Sequence, residues 1–358
     1  MNKERFEKRV LRFQELMKEK KIDVTMIRDS YAYTYFTGIK WDPPALMIPA
    51  DGNPVIFAID DEIDELKENT WIDKIFPYRD VKTLISGVHN KVNMEVIGFN
   101  LDIDASALLY DMFSKIHSKK QVTDVHQLIM KLRMFKDKEE VENIKRAGEI
   151  AAIGMQAGID AINSDATELD IAAEAEYKMR KAGAEDIFIY VNSGSPRIHA
   201  RPRDKKVKDY VLLDIMPSYK GYFYDMARTI ILTPDKKREA ALKSMEEIHL
   251  KLPEFLEIGN VFNSVETKIY ETFKRYGFED EYIYGFGHGV GLRYEETPIL
   301  TIVPGDRMKL VKPNMVISAG HAPLSSKSLG TIKIEDTHLI KESGESERLS
   351  NFPLSPTL

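Results

Sequence analysis

Four short segments carry the side chains that could do chemistry. In VLLDIMPSYKGYFYDMARTIIL (211–232), Asp214 and Asp225 lie in two apolar, strand-like runs joined by the turn-like stretch Pro217–Gly221. Folding the chain back about Tyr219-Lys220 sets Asp214 roughly opposite Asp225, and directly opposed side chains stand about 5 Å apart. Two carboxylates that close, among apolar neighbours such as Leu212, Met216, Phe223 and Ala227, repel unless a cation or a shared proton lies between them. They are candidates for a metal site or an acid/base pair, although strand-end aspartates bonded to loop amides would have the same spacing. GFGHGVGL (285–292) embeds His288 among alternate glycines, where backbone can approach a ligand or a second strand closely. In GTIKIEDTHLI (330–340), Glu335 stands on the opposite face from Ile334 and Asp336, and alone it would read as a solvent-facing glutamate. NSGSPRIHARP (192–202) is a polar loop after a strand that presents His199, an arrangement compatible with catalysis or with a solvated imidazole.

The chain that must position these groups has 358 residues, 51 Lys+Arg, 57 Asp+Glu, 8 His and no Cys. Its length predicts two domains. A net charge of −6 argues against a nucleic-acid or anionic-membrane surface. The absence of Cys excludes disulfides, thiolate metal sites, iron–sulfur clusters and cysteine nucleophiles, so a metal would need carboxylates and imidazoles. The charged N-terminus does not read as a signal peptide and no run is apolar enough to span a membrane, so a cytoplasmic location is expected.

The first third reads as a mixed α/β unit. Phe6, Val10, Phe13 and Met17 predict a helix over about 4–20. Strands are expected at 23–27, 45–48, 54–59, 74–76 and 95–99, with helices at about 104–118 and 126–133. His89, His117 and His126 occur singly there and read as surface or structural. The domain boundary is placed near 128, giving an N-terminal α/β domain over 1–128 and a catalytic domain over 129–358. Asp137 with Glu140 has the capping-box arrangement at the start of a long helix. A second helix is expected over 167–182, with strands at 187–191, 211–215 and 222–232. The order then repeats in outline: helices at 238–256 and 264–276, strands near 281–286, 315–319 and 331–340. Two helix-helix-sheet halves suggest structural duplication without visible sequence identity. The tail from 349 to 358 reads as irregular.

Taken together, the Asp214…Asp225…His288…Glu335-Asp336 constellation resembles that of the creatinase/prolidase/methionine-aminopeptidase superfamily, the α+β "pita-bread" fold, in its two-domain proline-peptidase branch. KIDVTMIRDSYAYTYFTGI (21–39) is similar to that branch's N-terminal domain. LRMFKDKEEVENIKRAGEIA (132–151) and ATELDIAAEAEYKMRKAGA (166–184) resemble the entry to its catalytic domain and its second helix. The resemblance implies that Asp214 ligates one metal, Asp225 and Glu335 bridge two, and His288 binds the second. It implies hydrolysis by a metal-bound hydroxide at an Xaa-Pro bond of a small peptide. His199 would stabilise the oxyanion or shuttle a proton. One or two ions of Mn²⁺, Co²⁺ or Zn²⁺ would serve, Mn²⁺ by resemblance, and a homodimer is expected on the same ground.

The chain departs from that pattern twice. The family's Glu-Pro pair falls on Gly320-His321, so one metal-ligating carboxylate is missing. His321 would point to the wrong face of a regular strand and could ligate only through a bulge near Ser318-Ala319-Gly320. Glu295, a candidate substrate-binding residue, stands where family peptidases commonly carry a His, while Glu296 beside it would be structural. Two other readings therefore stay open: a metal-independent, creatinase-like hydrolase of a small amide or amidino compound with His199 as acid/base, and a non-catalytic peptide-binding protein.

Overall fold

The computed structural model describes residues 3–42, 45–77, 95–101, 107–118, 121–197 and 200–358; the expectations for His89 and His199 fall outside these residues. The described chain divides into two compact units, Met1–Arg133 and Met134–Leu358. A boundary at 128 would cut the helix His126–Arg133, which packs on the first helix, Lys3–Glu19, through its buried face Leu128, Ile129 and Leu132.

The first unit is a six-stranded mixed sheet, β4-β3-β2-β1-β5-β6. Its strands are β1 (Val24–Ile27), β2 (Leu46–Pro49), β3 (Val55–Ala58), β4 (Ile75–Pro77), β5 (Val96–Phe99) and β6 (Gln121–Asp124). β1–β3 are antiparallel neighbours, whereas β4, β5 and β6 join in parallel. The short helix Ser30–Thr37 falls in a Tyr-rich stretch of weak helical patterning. It forms because Asp29 caps it, accepting from Tyr31 and Ala32 N–H, and Gly38 ends it in the left-handed conformation.

The second unit shows the expected repetition. Helices Lys138–Asp160 and Glu168–Lys181 both begin with complete capping boxes, Asp137/Glu140 and Thr167/Asp170. They precede β7 (Ile187–Asn192), β8 (Tyr210–Tyr219), β9 (Tyr222–Phe223) and β10 (Met226–Ile231), sheet order β10-β8-β7 with β9 on β8. Helices Lys236–Phe255 and Phe262–Arg275 then precede β11 (Gly287–Gly289), β12 (Glu296–Ile299), β13 (Val316–Ala319), β16 (Asp336–Ile340) and β17 (Ser346–Arg348), order β12-β11-β13-β16-β17. A separate hairpin joins β14 (Leu324–Ser326) to β15 (Gly330–Ile332).

The expected strand near 281–286 does not form. The Glu266 carboxylate takes the Gly285 and Phe286 N–H groups at 3.2 and 2.9 Å, so a buried side chain replaces the ladder there. Among the described residues one β-bridge joins the two sheets: Ala227 N–H donates to Glu335 C=O at 3.1 Å and Glu335 N–H to Ala227 C=O at 3.0 Å. The candidate site lies around that bridge.

Candidate metal centre

The β8–β10 hairpin turns at Lys220 and Gly221, which have φ of 48° and 78°. Two consecutive positive φ values mark the tight primed turn that matches strand twist. The reversal is one residue later than the sequence suggests, and the pairing shifts by two: Asp214 lies opposite Ala227, not Asp225. Asp225, between β9 and β10, is instead the diagonal neighbour of Asp214 on the same face, and both are 2% exposed.

Glu335 enters from the other sheet. Its backbone bridge to Ala227 puts the carboxylate beside both aspartates, with one oxygen atom of each acid within 4.8 Å of the others. Glu335 is 0% exposed, so the solvent-facing reading of this residue is corrected by the strand crossing. Its neighbours share the work of holding the site. Asp336 points away and pairs with the buried Arg228 at 2.7 Å, while Tyr224 O–H donates to its other oxygen at 3.0 Å. Arg228 also donates to the carbonyls of Ala227 and Glu335, locking the bridge. Thr337 Oγ1 contacts both the N–H and the C=O of Asp225 at 3.2 Å, fixing that backbone.

His288, on β11, donates Nδ1–H to the Gly289 carbonyl at 3.1 Å, which turns Nε2 toward the carboxylates. Nε2 lies 3.5 Å from Asp225 Oδ2 and 3.6 Å from Glu335 Oε1. Ser318 on β13 donates to Glu335 Oε1 at 2.8 Å.

Gly320 ends β13 with φ 103°, and its N–H and that of His321 both donate to the Phe286 carbonyl, at 2.8 and 3.1 Å. Two successive N–H groups on one carbonyl are the mark of a bulge. The bulge turns His321 inward, where Nδ1 is 3.1 Å from His288 Nε2 and 3.8 Å from Glu335 Oε1. A Cβ on Gly320 would stand 1.9 Å from the Ile334 carbonyl oxygen, so no side chain can occupy that position in this backbone.

Lys333 is the site residue that residue-by-residue inspection passes over. Its backbone N–H and C=O both bond Thr229 Oγ1 at 2.9 Å, and its side chain, 2% exposed, ends at Asp214 Oδ2 (2.7 Å) and in contact with Glu335 Oε2. The signal was present: Lys333 lies two residues before Glu335 in an alternating segment and so shares its face.

The electrostatics follow from burial and crowding. Burial, then the Glu335 charge, pushes Asp225 up to about 8. Burial opposes ionisation of Glu335 too, but Lys333 and the two imidazoles outweigh it and hold this acid well below the usual range. Burial likewise disfavours imidazolium at His288, and Asp225 and Glu335 override it, raising the ring to about 10. Such mutual shifts follow from crowding three acids, two imidazoles and the Lys333 ammonium into one buried site. Asp225 Oδ1 is buried with no hydrogen-bond partner among the described residues. An oxygen and imidazole donor set around an orphaned carboxylate oxygen fits a divalent first-row ion.

A cavity of about 110 Å³ opens onto the centre, lined by Tyr190, Met216, Tyr294 and Glu295 together with Asp214, Asp225, His321 and Lys333. Glu295 accepts from Thr301 Oγ1 at 3.3 Å. Glu296 turns the other way, into a buried ion pair with Lys136 at 2.9 Å.

Comparison with known proteins gives a consistent picture. Residues 142–342 match metallopeptidase family M24, and residues 9–135 match the creatinase/prolidase N-terminal domain. An Xaa-Pro dipeptidase of Pyrococcus furiosus is 28% identical over 351 residues, 96% of each chain. One from Lactobacillus helveticus is 24% identical, spanning 93% of this chain and 94% of its own. Among solved structures, the prolidase from Pyrococcus furiosus superposes with a TM-score of 0.83 at 26% identity, covering 95% of this chain and 99% of that one. The prolidase from Pyrococcus horikoshii OT3 shares the fold, with a TM-score of 0.88 at 23% identity and coverage of 97% and 99%.

Proposed function

The chain belongs to metallopeptidase family M24, and from that premise we propose that it hydrolyses Xaa-Pro dipeptides or N-terminal Xaa-Pro bonds. The observation that carries the reading is the buried convergence of His288 and Glu335 on Asp225, which lines a small cavity, within a chain similar over 96% of its length to an Xaa-Pro dipeptidase. A divalent ion there would supply Lewis-acid activation of water and of the scissile carbonyl.

The chain's own residues do the rest. The Arg228–Asp336 pair and Thr337 hold Glu335 and Asp225 in place from behind. Tyr190, Met216 and Tyr294 form walls that would exclude bulk water from a bound peptide. Glu295 offers the cavity a carboxylate suited to a free α-ammonium, which favours substrates with an unblocked N-terminus. His199 belongs to the same reading as an oxyanion or proton-transfer group, supported by its resemblance to a family His. Mn²⁺ and a homodimer rest on resemblance as well; elemental analysis and light scattering test them.

The deciding experiment is cleavage of an Xaa-Pro dipeptide before and after chelation. Activity that disappears with chelator and returns with added metal is expected. No cleavage of Xaa-Pro peptides under any metal would remove the reading. A second reading draws on Lys333, which already places a cation between Asp214 and Glu335. In a metal-independent hydrolase of a small amide, activity would survive chelator and fail in His199→Ala.

A further inference from the structure

The donors around Glu335 form two groups that share this residue: His288–His321–Glu335 and Asp214–Asp225–Glu335. They are not equivalent. In the first, the facing atoms His288 Nε2, His321 Nδ1 and Glu335 Oε1 are separated by 3.1, 3.6 and 3.8 Å, with Asp225 Oδ2 at 3.5 Å from His288 Nε2. Ligands bonded at about 2.0–2.2 Å around one four-coordinate ion lie about 3.3–3.6 Å from each other. The four separations, 3.1 to 3.8 Å, bracket that spacing, and Asp225 Oδ1 is buried without a hydrogen-bond partner among the described residues.

The second group already holds a cation. Lys333 Nζ sits 2.7 Å from Asp214 Oδ2 and against Glu335 Oε2, within hydrogen-bonding range of two of the three acids. An ion bonded to those same oxygens would crowd the ammonium, with two like charges in a buried site. Charge bookkeeping agrees. Ligating a metal requires ionised carboxylates and neutral imidazoles, and in that state Asp214, Asp225 and Glu335 carry three negative charges against one on Lys333, leaving two, which a single divalent ion neutralises. Two divalent ions would overcharge the pocket.

We propose that this centre takes one divalent ion rather than two: His288, His321 and Glu335, flanked by Asp225, bind it, and the Lys333 side chain fills the second cation position between Asp214 and Glu335. His321 thereby replaces the carboxylate that Gly320 cannot supply, and it reaches the ion because the bulge at Gly320 turns it inward. This rests on the metallohydrolase reading of the site but not on its substrate.

The test is metal binding, read without any hydrolysis assay. Metal-free full-length protein is titrated with Co²⁺ and with Mn²⁺ by calorimetry, and bound metal per chain is measured after desalting. One ion per chain is expected, with the visible spectrum of four-coordinate Co²⁺. His321→Ala should weaken binding at least about tenfold and alter that spectrum. Lys333→Met, with folding checked by circular dichroism, should bind two. Two ions in the unmodified chain, none, an unchanged affinity in His321→Ala, or a single ion in folded Lys333→Met would each overturn the proposal. Should Lys333→Met not fold, the unmodified stoichiometry and the His321→Ala titration decide. One bound ion without cleavage of Xaa-Pro peptides would retain this inference and remove the substrate assignment.

Discussion

Ser318 donates to Glu335 Oε1 at 2.8 Å while Lys333 meets the other oxygen, so the carboxylate is aimed from both sides. Removing an orienting partner of a metal ligand generally costs about 10–100-fold in metal affinity. Ser318→Ala is therefore expected to weaken metal binding by that order, measured by competition with a chromogenic chelator. An unchanged affinity would mean that Lys333 and the backbone bridge to Ala227 suffice to orient Glu335. Glu295 gives a contrasting case, because it lines the cavity and belongs to neither cluster of metal-ligating groups. Glu295→Gln should raise KM for a free-amine Xaa-Pro dipeptide by about tenfold, the loss of one charge-assisted hydrogen bond, with kcat changed far less. Equal effects on free and N-acetylated substrates would show that Glu295 does not read the ammonium.

At the scale of elements, the centre depends on the end of β13 and on the crossing of β10 with the residues before β16. Gly320 decides the first. A Cβ there would meet the Ile334 carbonyl oxygen at 1.9 Å on a backbone with φ 103°. Gly320→Glu should therefore not restore a five-ligand site. It should destabilise the catalytic unit by roughly 2–3 kcal/mol or more, seen as a lower denaturation midpoint. A stable Gly320→Glu protein with raised metal stoichiometry would refute this. Arg228 decides the second, since it joins Asp336 to the carbonyls of both bridge residues. Arg228→Ala leaves the buried Asp336 carboxylate, among the described residues, with Arg348 and Tyr224, and should cost about 3 kcal/mol, at the lower end because those two partners remain.

For the whole molecule, stability should depend on pH through a buried pair of imidazoles behind the sheet. His338 faces His249, Asp336, Arg348 and Ser346; burial, then His249, pushes it down to about 3. His249, which bonds the Ile334 carbonyl at 2.9 Å, is lowered by burial as well. A ring whose folded value lies below its unfolded one is protonated mainly in the unfolded chain, so its contribution is complete above about pH 6.5. That contribution is lost as pH falls toward 3. From pH 7 to pH 5, His338 should account for about 2 kcal/mol of lost stability in metal-free protein, and His338→Gln should flatten that part of the profile. A variant with the same pH slope as the parent would assign the slope elsewhere. Among the described residues, no helix is long and apolar enough to cross a membrane.

The sequence by itself determined the donor chemistry, because a chain without cysteine can offer a metal only oxygen and imidazole, and it determined the helices, whose periodicity and capping boxes at Asp137 and Thr167 are local signals. Through the family resemblance it brought forward Asp214, Asp225, His288 and Glu335 as candidate ligands, with Gly320 as the departure from that pattern. Tertiary structure decided the rest. The hairpin register depended on left-handed backbone at Lys220 and Gly221, which moved Asp214 opposite Ala227. The burial of Glu335 depended on a bridge between residues 108 positions apart along the chain. The inward turn of His321 depended on two N–H groups sharing the Phe286 carbonyl. Lys333 was visible only as a cation in an apolar alternation, and its contact with Asp214 is set by how two sheets cross. Local propensity is written along the chain, whereas the charge balance of a buried site depends on which segments meet.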